Sequence, residues 1–319
     1  MWKGTTMIKR SIAATLTMAA LLASGSAWAA EPAKCKLVRM SDPGWSDITS
    51  TNALMGVVLK GLGYEQKVDT LAVPITYKSL GEGIIDVFLG NWMPAQKKFV
   101  EPLITEGKMQ VVRKNLSDLK FTLAVPSYVA EGGVRTVEDL AKHADKFSRK
   151  IYGIEPGAPV NQNMQAMIKA GDYGLNGWEV VESSEQAMLA QVDRAGRQKN
   201  WVVFVGWEPH PMNTKLKMTY LSGGEKTFGA NYGASEVFTV ARKGLAEDCP
   251  NLTRLLRQTA FTVAMENEIM AAMEAGKKPE EAASAWLKAN PATIGPWIEG
   301  VTTFDGKDGA GAVKASLGL

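Results

Sequence analysis

The nine residues Asp86-Val87-Phe88-Leu89-Gly90-Asn91-Trp92-Met93-Pro94 run from an apolar strand into a turn marked by Gly90 and Pro94. Val87, Phe88 and Leu89 have the β-branched and aromatic character of a buried strand, and glycine and proline end it. The same alternation of short apolar runs and helical stretches continues on both sides. Towards the N-terminus, Lys36–Met40 is a strand closed by Ser41-Asp42-Pro43-Gly44, and Thr49–Leu62 is a helix stopped near Gly63. Val68–Val73 is a second strand and Tyr77–Gly83 a short helix. Towards the C-terminus, Ile151–Ile154, Trp178–Val181, Trp201–Val205 and Val237–Ala241 are strands, interleaved with helices over Gln162–Ala170 and Ser184–Ala195. From Asn251 onward the pattern is helical, as Leu252–Ala275 and then Pro279–Leu287. Strand–helix–strand order in two successive blocks predicts an α/β fold with a mostly parallel sheet in each block.

The first residues have a different character. Lys3, Lys9 and Arg10 precede an apolar run from Ser11 to Ala23, and Ala27-Trp28-Ala29 follows. A basic start, a short apolar core and small residues predict a secretory signal peptide over 1–29, cleaved near Ala29. The run is too short to cross a bilayer as a helix. Cleavage would leave 290 residues (319 − 29), enough for two lobes. The net charge of +3 equals the three basic residues of the leader, so the remainder is near neutral. No basic stripe remains for nucleic acid and no polybasic patch for a membrane surface, which leaves membrane contact only through a partner. Cys35 and Cys249 are the two cysteines, and in an oxidising compartment they predict one disulfide. It would close a loop of more than 200 residues, stabilising by roughly 4–5 kcal/mol on the loop-entropy account. A bond between the start of the first block and the end of the second would return the C-terminal helices to the first block. The chain would then cross twice between two hinged lobes: 30–120 and 219–319 in one, 121–218 in the other.

Three turns at strand ends each carry a tryptophan: Trp45 in Asp42–Asp47, Trp92 in Gly90–Pro94 and Trp207 in Gly206–Pro211. In open α/β sheets ligands sit off the carboxyl ends of strands. One such tryptophan reads most simply as core; three at equivalent places call for a ligand. A quaternary ammonium has no N–H to donate, and its charge is spread over methyl groups. Aromatic faces attract it through their quadrupoles, by about 0.5–2 kcal/mol each when dry. Several faces together can support micromolar binding, which requires about 8 kcal/mol. Asp47 can supply a counter-charge or a helix cap.

Ser41-Asp42-Pro43-Gly44-Trp45-Ser46-Asp47-Ile48-Thr49, Asp86–Pro94, Tyr152-Gly153-Ile154-Glu155-Pro156-Gly157, Val180–Gln186 and Gly206-Trp207-Glu208-Pro209-His210-Pro211-Met212-Asn213 resemble the periplasmic choline-binding proteins of ABC importers, within the glycine betaine and choline substrate-binding family. The resemblance covers nearly all of the chain after the leader, including both cysteines and the tail Trp286–Pro291. It implies a two-lobe periplasmic binding protein fold with two crossovers and the ligand in the cleft between lobes. It implies a binding protein that passes choline to a membrane permease; the leader points to the periplasm, and the chain is expected to act as a monomer without a cofactor or metal. It implies a cage of three tryptophans and a tyrosine, with an aspartate. Those positions fall on Trp45, Trp92, Trp207 and Asp47, with Phe121 where the family has tyrosine. After Gly157 the choline binders have an asparagine that meets the ligand's hydroxyl; Ala158 stands there, and Asn161 is the nearest substitute. Both differences concern the head of the ligand and leave the cation's cage intact. Glycine betaine, carnitine and acetylcholine remain alternatives.

An enzyme fits poorly. His143 and His210 are the only histidines, and there is no Gly-x-Ser-x-Gly elbow or metal-ligand spacing. Gly61-Leu62-Gly63 lacks the third glycine of a dinucleotide loop, where Gln66 stands. Glu182, Glu185 and Glu208 read as solvated or helix-capping carboxylates, and His210 as a structural residue.

Overall fold

Apolar strands become the centre of each half of the molecule. In the computed structural model, which describes residues 1, 2 and 30–319, nine strands form one continuous curled sheet. They are β1 (Leu37–Asp42), β2 (Glu65–Thr70), β3 (Val87–Met93), β4 (Met109–Pro126), β5 (Lys150–Tyr152), β6 (Glu179–Val181), β7 (Phe204–Glu208), β8 (Met218–Tyr220) and β9 (Ser235–Arg242). The order is β2-β1-β3-β9-β4-β7-β5-β6, with β8 beside β4. The expected signal peptide falls outside the described residues, apart from Met1 and Trp2.

The mostly parallel expectation holds only at the heart of each lobe. β1 pairs parallel with β2 and β3, and β5 with β6 and β7. The strands joining these triplets are antiparallel. β4 pairs with β9 from Met109 to Leu119, then with β7 from Lys120 to Ala124. Its change of partner is the outward crossing between lobes, and Asp118 just before it has a left-handed backbone (φ 64°). The expected return at residue 219 comes later. Met218–Tyr220 still pairs with Ala124–Pro126, and the chain rejoins the first half-sheet only at Ser235. Gly233 turns it back at φ +70°, where an added Cβ would lie 2.1 Å from the Phe121 carbonyl oxygen. Only glycine fits there.

The helices used below are α1 (Ser46–Gly61), α2 (Val73–Gly81), α3 (Lys97–Thr105), α4 (Pro159–Ala170), α5 (Glu185–Gln198), α6 (Pro250–Gln258), α7 (Val263–Glu274), α8 (Pro279–Ala289) and α9 (Gly309–Leu317). The single helix expected over 252–275 is two. Phe261 breaks it, donating its N–H to Asn115 (2.8 Å) and burying its ring edge-on against Trp297, and the Thr262 hydroxyl caps α7. The Cys35–Cys249 disulfide is formed. With it the C-terminal helices return to the first lobe, where α7, α8 and α9 pack on α1. Among the described residues no helix is long and apolar enough to cross a membrane.

Candidate functional site

Trp45 is set by the turn before it. The Asp42 carboxylate accepts from the N–H of Gly44 (2.7 Å) and Trp45 (3.2 Å) and from the Thr49 hydroxyl (2.6 Å). Gly44 takes φ +92°, which a side chain would strain. Trp45 then caps α1 and Asp47 lies in its first turn, where the helix dipole favours an anion. The Asp47 side chain reaches Trp92 of β3. One of its oxygens accepts the Trp92 indole N–H at 3.1 Å; the other is buried with no donor. Burial first, and then the nearby Glu185 carboxylate, push the Asp47 carboxyl up to about 8.

Trp92 and Trp207 were expected in loops, but the structure keeps both within strands. β3 remains paired to Met93 by β9, and β7 to Glu208 by β4. Phe121 and Trp207 face each other in register across the β4–β7 ladder. Their rings meet edge to face at 6.4 Å, and Phe121 reaches across to Trp92 at 5.5 Å. Trp45, Trp92, Phe121 and Trp207 thus line one small cavity, with Asp47 on its wall and Ile154 and Val160 completing the apolar surface. Trp45, Asp47 and Trp92 belong to the first lobe, Phe121 and Trp207 to the second. The lining contains no lysine, arginine or histidine. Gln96 also lines it, but its amide is committed, donating to the Gly90 carbonyl and accepting from the Tyr77 hydroxyl.

Asn161 is the sequence candidate that does not come to the cavity. Its amide is fully buried, accepting from the Ile154 N–H (3.1 Å) and donating to the carbonyls of Ile154 and Glu155 and to the Glu182 carboxylate. It holds the turn at 154–155 and has no group left for a ligand. Ala158 is buried too.

Several residues beside the cage were missed as site residues. The Trp45 indole donates across the cleft to Glu155 at 2.8 Å, and burial holds that carboxyl up at about 7. Glu185 is buried rather than solvated; it accepts from both the N–H and the hydroxyl of Ser46. His210 stands behind it, Nε2 at 3.2 Å. A glutamate just after Ser184, the cap of α5, was the only signal for Glu185, and it says nothing about the far side of the cleft. Among the described residues no group of three or more His, Cys, Asp or Glu could hold a metal.

Residues 36–289 match the family described as the substrate binding domain of the ABC-type glycine betaine transport system. The chain belongs to this family. As a member it is a transport substrate-binding protein. An ABC-transporter choline binding protein in complex with choline is 50% identical to it, covering 90% of this chain and 100% of its own, with a TM-score of 0.89. The unliganded, semi-closed form of such a protein, at the same identity and coverage, scores 0.83. The lactococcal OpuAC in a closed form with glycine betaine is 27% identical, covering 83% of this chain and 100% of its own, with a TM-score of 0.76. A glycine betaine/carnitine transport binding protein of Listeria monocytogenes is 34% identical over 166 residues, 51% of this chain and about half (54%) of its own length.

Proposed function

We propose that the chain is a periplasmic capture protein that closes on choline, or a close relative with a small uncharged head, and delivers it to the permease of an ABC importer. The observation that carries this is the cavity's composition: four aromatic rings, one buried carboxyl and no cationic side chain. The rings suit a trimethylammonium group. The unpartnered Asp47 oxygen suits its charge. A ligand carboxylate, as on glycine betaine or carnitine, would lie near Asp47 with no lysine, arginine or histidine to meet it. The 50% identical choline binding protein agrees with this choice. Phe121 and Ala158 offer no polar contact to the head, so esterified choline is the nearest competitor.

Calorimetric titration of the mature protein, stripped of carried-over ligand, with choline, acetylcholine, glycine betaine and carnitine tests the proposal. Choline is expected to bind more tightly than the two carboxylates, and no heat from any of the four would refute the cage. Trp207→Ala should weaken choline by about tenfold or more, the loss of one desolvated cation–π face. Unchanged affinity there would remove the second lobe from the site.

A further inference from the structure

The rings of the cage come from both lobes, so the first turn of α1 must be held at a fixed place relative to the second lobe. Ser46, between Trp45 and Asp47, makes that contact. Its N–H donates to Glu185 at 3.1 Å and its hydroxyl donates to the other carboxylate oxygen. Glu185 is the first residue of α5, where free backbone N–H groups favour an anion. The oxygen that accepts the Ser46 hydroxyl also faces His210. The Met212 N–H donates to His210 Nδ1 at 3.0 Å, so the ring proton sits on Nε2 and points at Glu185, 3.2 Å away. The same imidazole packs edge-on to Trp207, centroids 5.0 Å apart. Glu185 and His210 are each 2% exposed. A chain of contacts therefore runs from Trp207 through His210, Glu185 and Ser46 to Trp45 and Asp47, around the outside of the cavity.

We propose that Glu185, oriented by His210, is a positioning residue: on closure it grips Ser46 and thereby sets Trp45 and Asp47 against the ligand. Glu185 has this role only if the cage takes a cation as proposed above. Its contacts make it a determinant of how long the ligand stays, because they join α1 of the first lobe to α5 of the second across the cleft. Its charge also reaches the site. Asp47 is faced by Asp42 from β1, Glu185 from α5, Glu266 from α7 and the Trp92 indole from β3; Asp42 and Glu155 feel Glu185 as well. A glutamine at 185 has one acceptor oxygen for three donors and no charge.

The test compares the mature parent with Glu185→Gln and Ser46→Ala. Choline release is followed by tryptophan fluorescence in stopped flow, and affinity by calorimetry from about pH 6 to about pH 9. Glu185→Gln should release choline about tenfold faster and move the midpoint of the affinity–pH curve to lower pH, since Asp47 loses a repelling neighbour. Ser46→Ala should speed release and leave the midpoint in place, because the charge remains. Release and midpoint both unchanged in Glu185→Gln would overturn the proposal. If Glu185→Gln does not fold, Ser46→Ala decides alone, and unchanged release overturns it. A parent that binds no quaternary ammonium would bring down the cation cage and this role with it, whereas a binding parent with indifferent variants brings down this role only.

Discussion

The Asp47 carboxyl has one oxygen on the Trp92 indole and one buried without a donor. With no ligand the cheapest state for such a group is protonated, and burial and Glu185 hold it up at about 8. A cation in the cage favours the charged form, so binding releases a proton. Affinity for choline should therefore rise with pH towards about 8 and level off above it. Asp47→Asn keeps the shape and removes the charge. It should flatten that rise and weaken choline most above about pH 8. Titration in two buffers of different ionisation heat counts the protons released; the same number from parent and variant would assign them elsewhere. The parts of the site legible in the sequence were those whose chemistry is intrinsic. A tryptophan beside glycine or proline at a strand end advertises a face, and an aspartate two residues on advertises a charge. Asn161 could not be placed, because an amide near a turn serves a ligand or the backbone equally well, and only the contacts at Ile154 and Glu155 decide it. Glu155, Glu185 and His210 could not be read, since each acts on a residue from another part of the chain.

At the scale of elements, the strands and helices with clean periodicity were legible and the connecting ones were not. β4 was hidden because Lys114-Asn115 and Ser117-Asp118 interrupt its apolar run, and because its register slips against β9 before it changes partner. That slipping is what lets one strand serve two lobes. The break between α6 and α7 was hidden because Phe261 leaves the helix for a tertiary contact that propensity does not encode. The disulfide was legible because compartment and parity leave two cysteines one partner. It spans 214 residues, and removing such a link frees the unfolded chain by about 5 kcal/mol at most on the loop-entropy account. Cys35→Ser with Cys249→Ser should therefore melt at a clearly lower temperature yet bind choline with unchanged affinity, because both sulfurs lie outside the cavity lining. A melt unchanged within a degree or so would show that packing of α7, α8 and α9 on α1 suffices to hold the C-terminal helices. Gly233→Ala is the opposite case: its Cβ meets the carbonyl of Phe121, so both folding yield and choline binding should fall.

For the molecule as a whole, the acidic groups divide by place. Burial alone would raise Asp86, but hydrogen bonds from Arg39 and Arg242 outweigh it and hold its carboxyl low. Such a group gives stability that is present above its ordinary range and lost as pH falls through the folded value. The groups at the cleft run the other way. Asp47 is held at about 8 and Glu155 at about 7, and burial, with Asp47 beside it, raises Glu266 well above its usual range. For these the folded protein keeps protons that the unfolded chain has released. The stability they contribute is complete below about pH 4 and is lost as pH rises through about 7 and 8. The ligand-free protein should consequently melt lower at pH 9 than at about pH 6, and the deficit belongs to the carboxyls at the cleft and to Glu266 packed behind Asp47. Choline reverses it in proportion to its affinity, since a ligand that binds only the folded state stabilises by RT ln(1 + [L]/Kd). Affinity itself rises over the same range, so a fixed choline concentration should lift the melting temperature more at pH 9 than at about pH 6. In Asp47→Asn the ligand-free melt should depend less on alkaline pH, and the choline shift should be nearly the same at both. A parent whose choline shift is equal at the two pH values, or larger at the lower one, would mean that Asp47 keeps its proton in the complex and that the rings alone hold the cation.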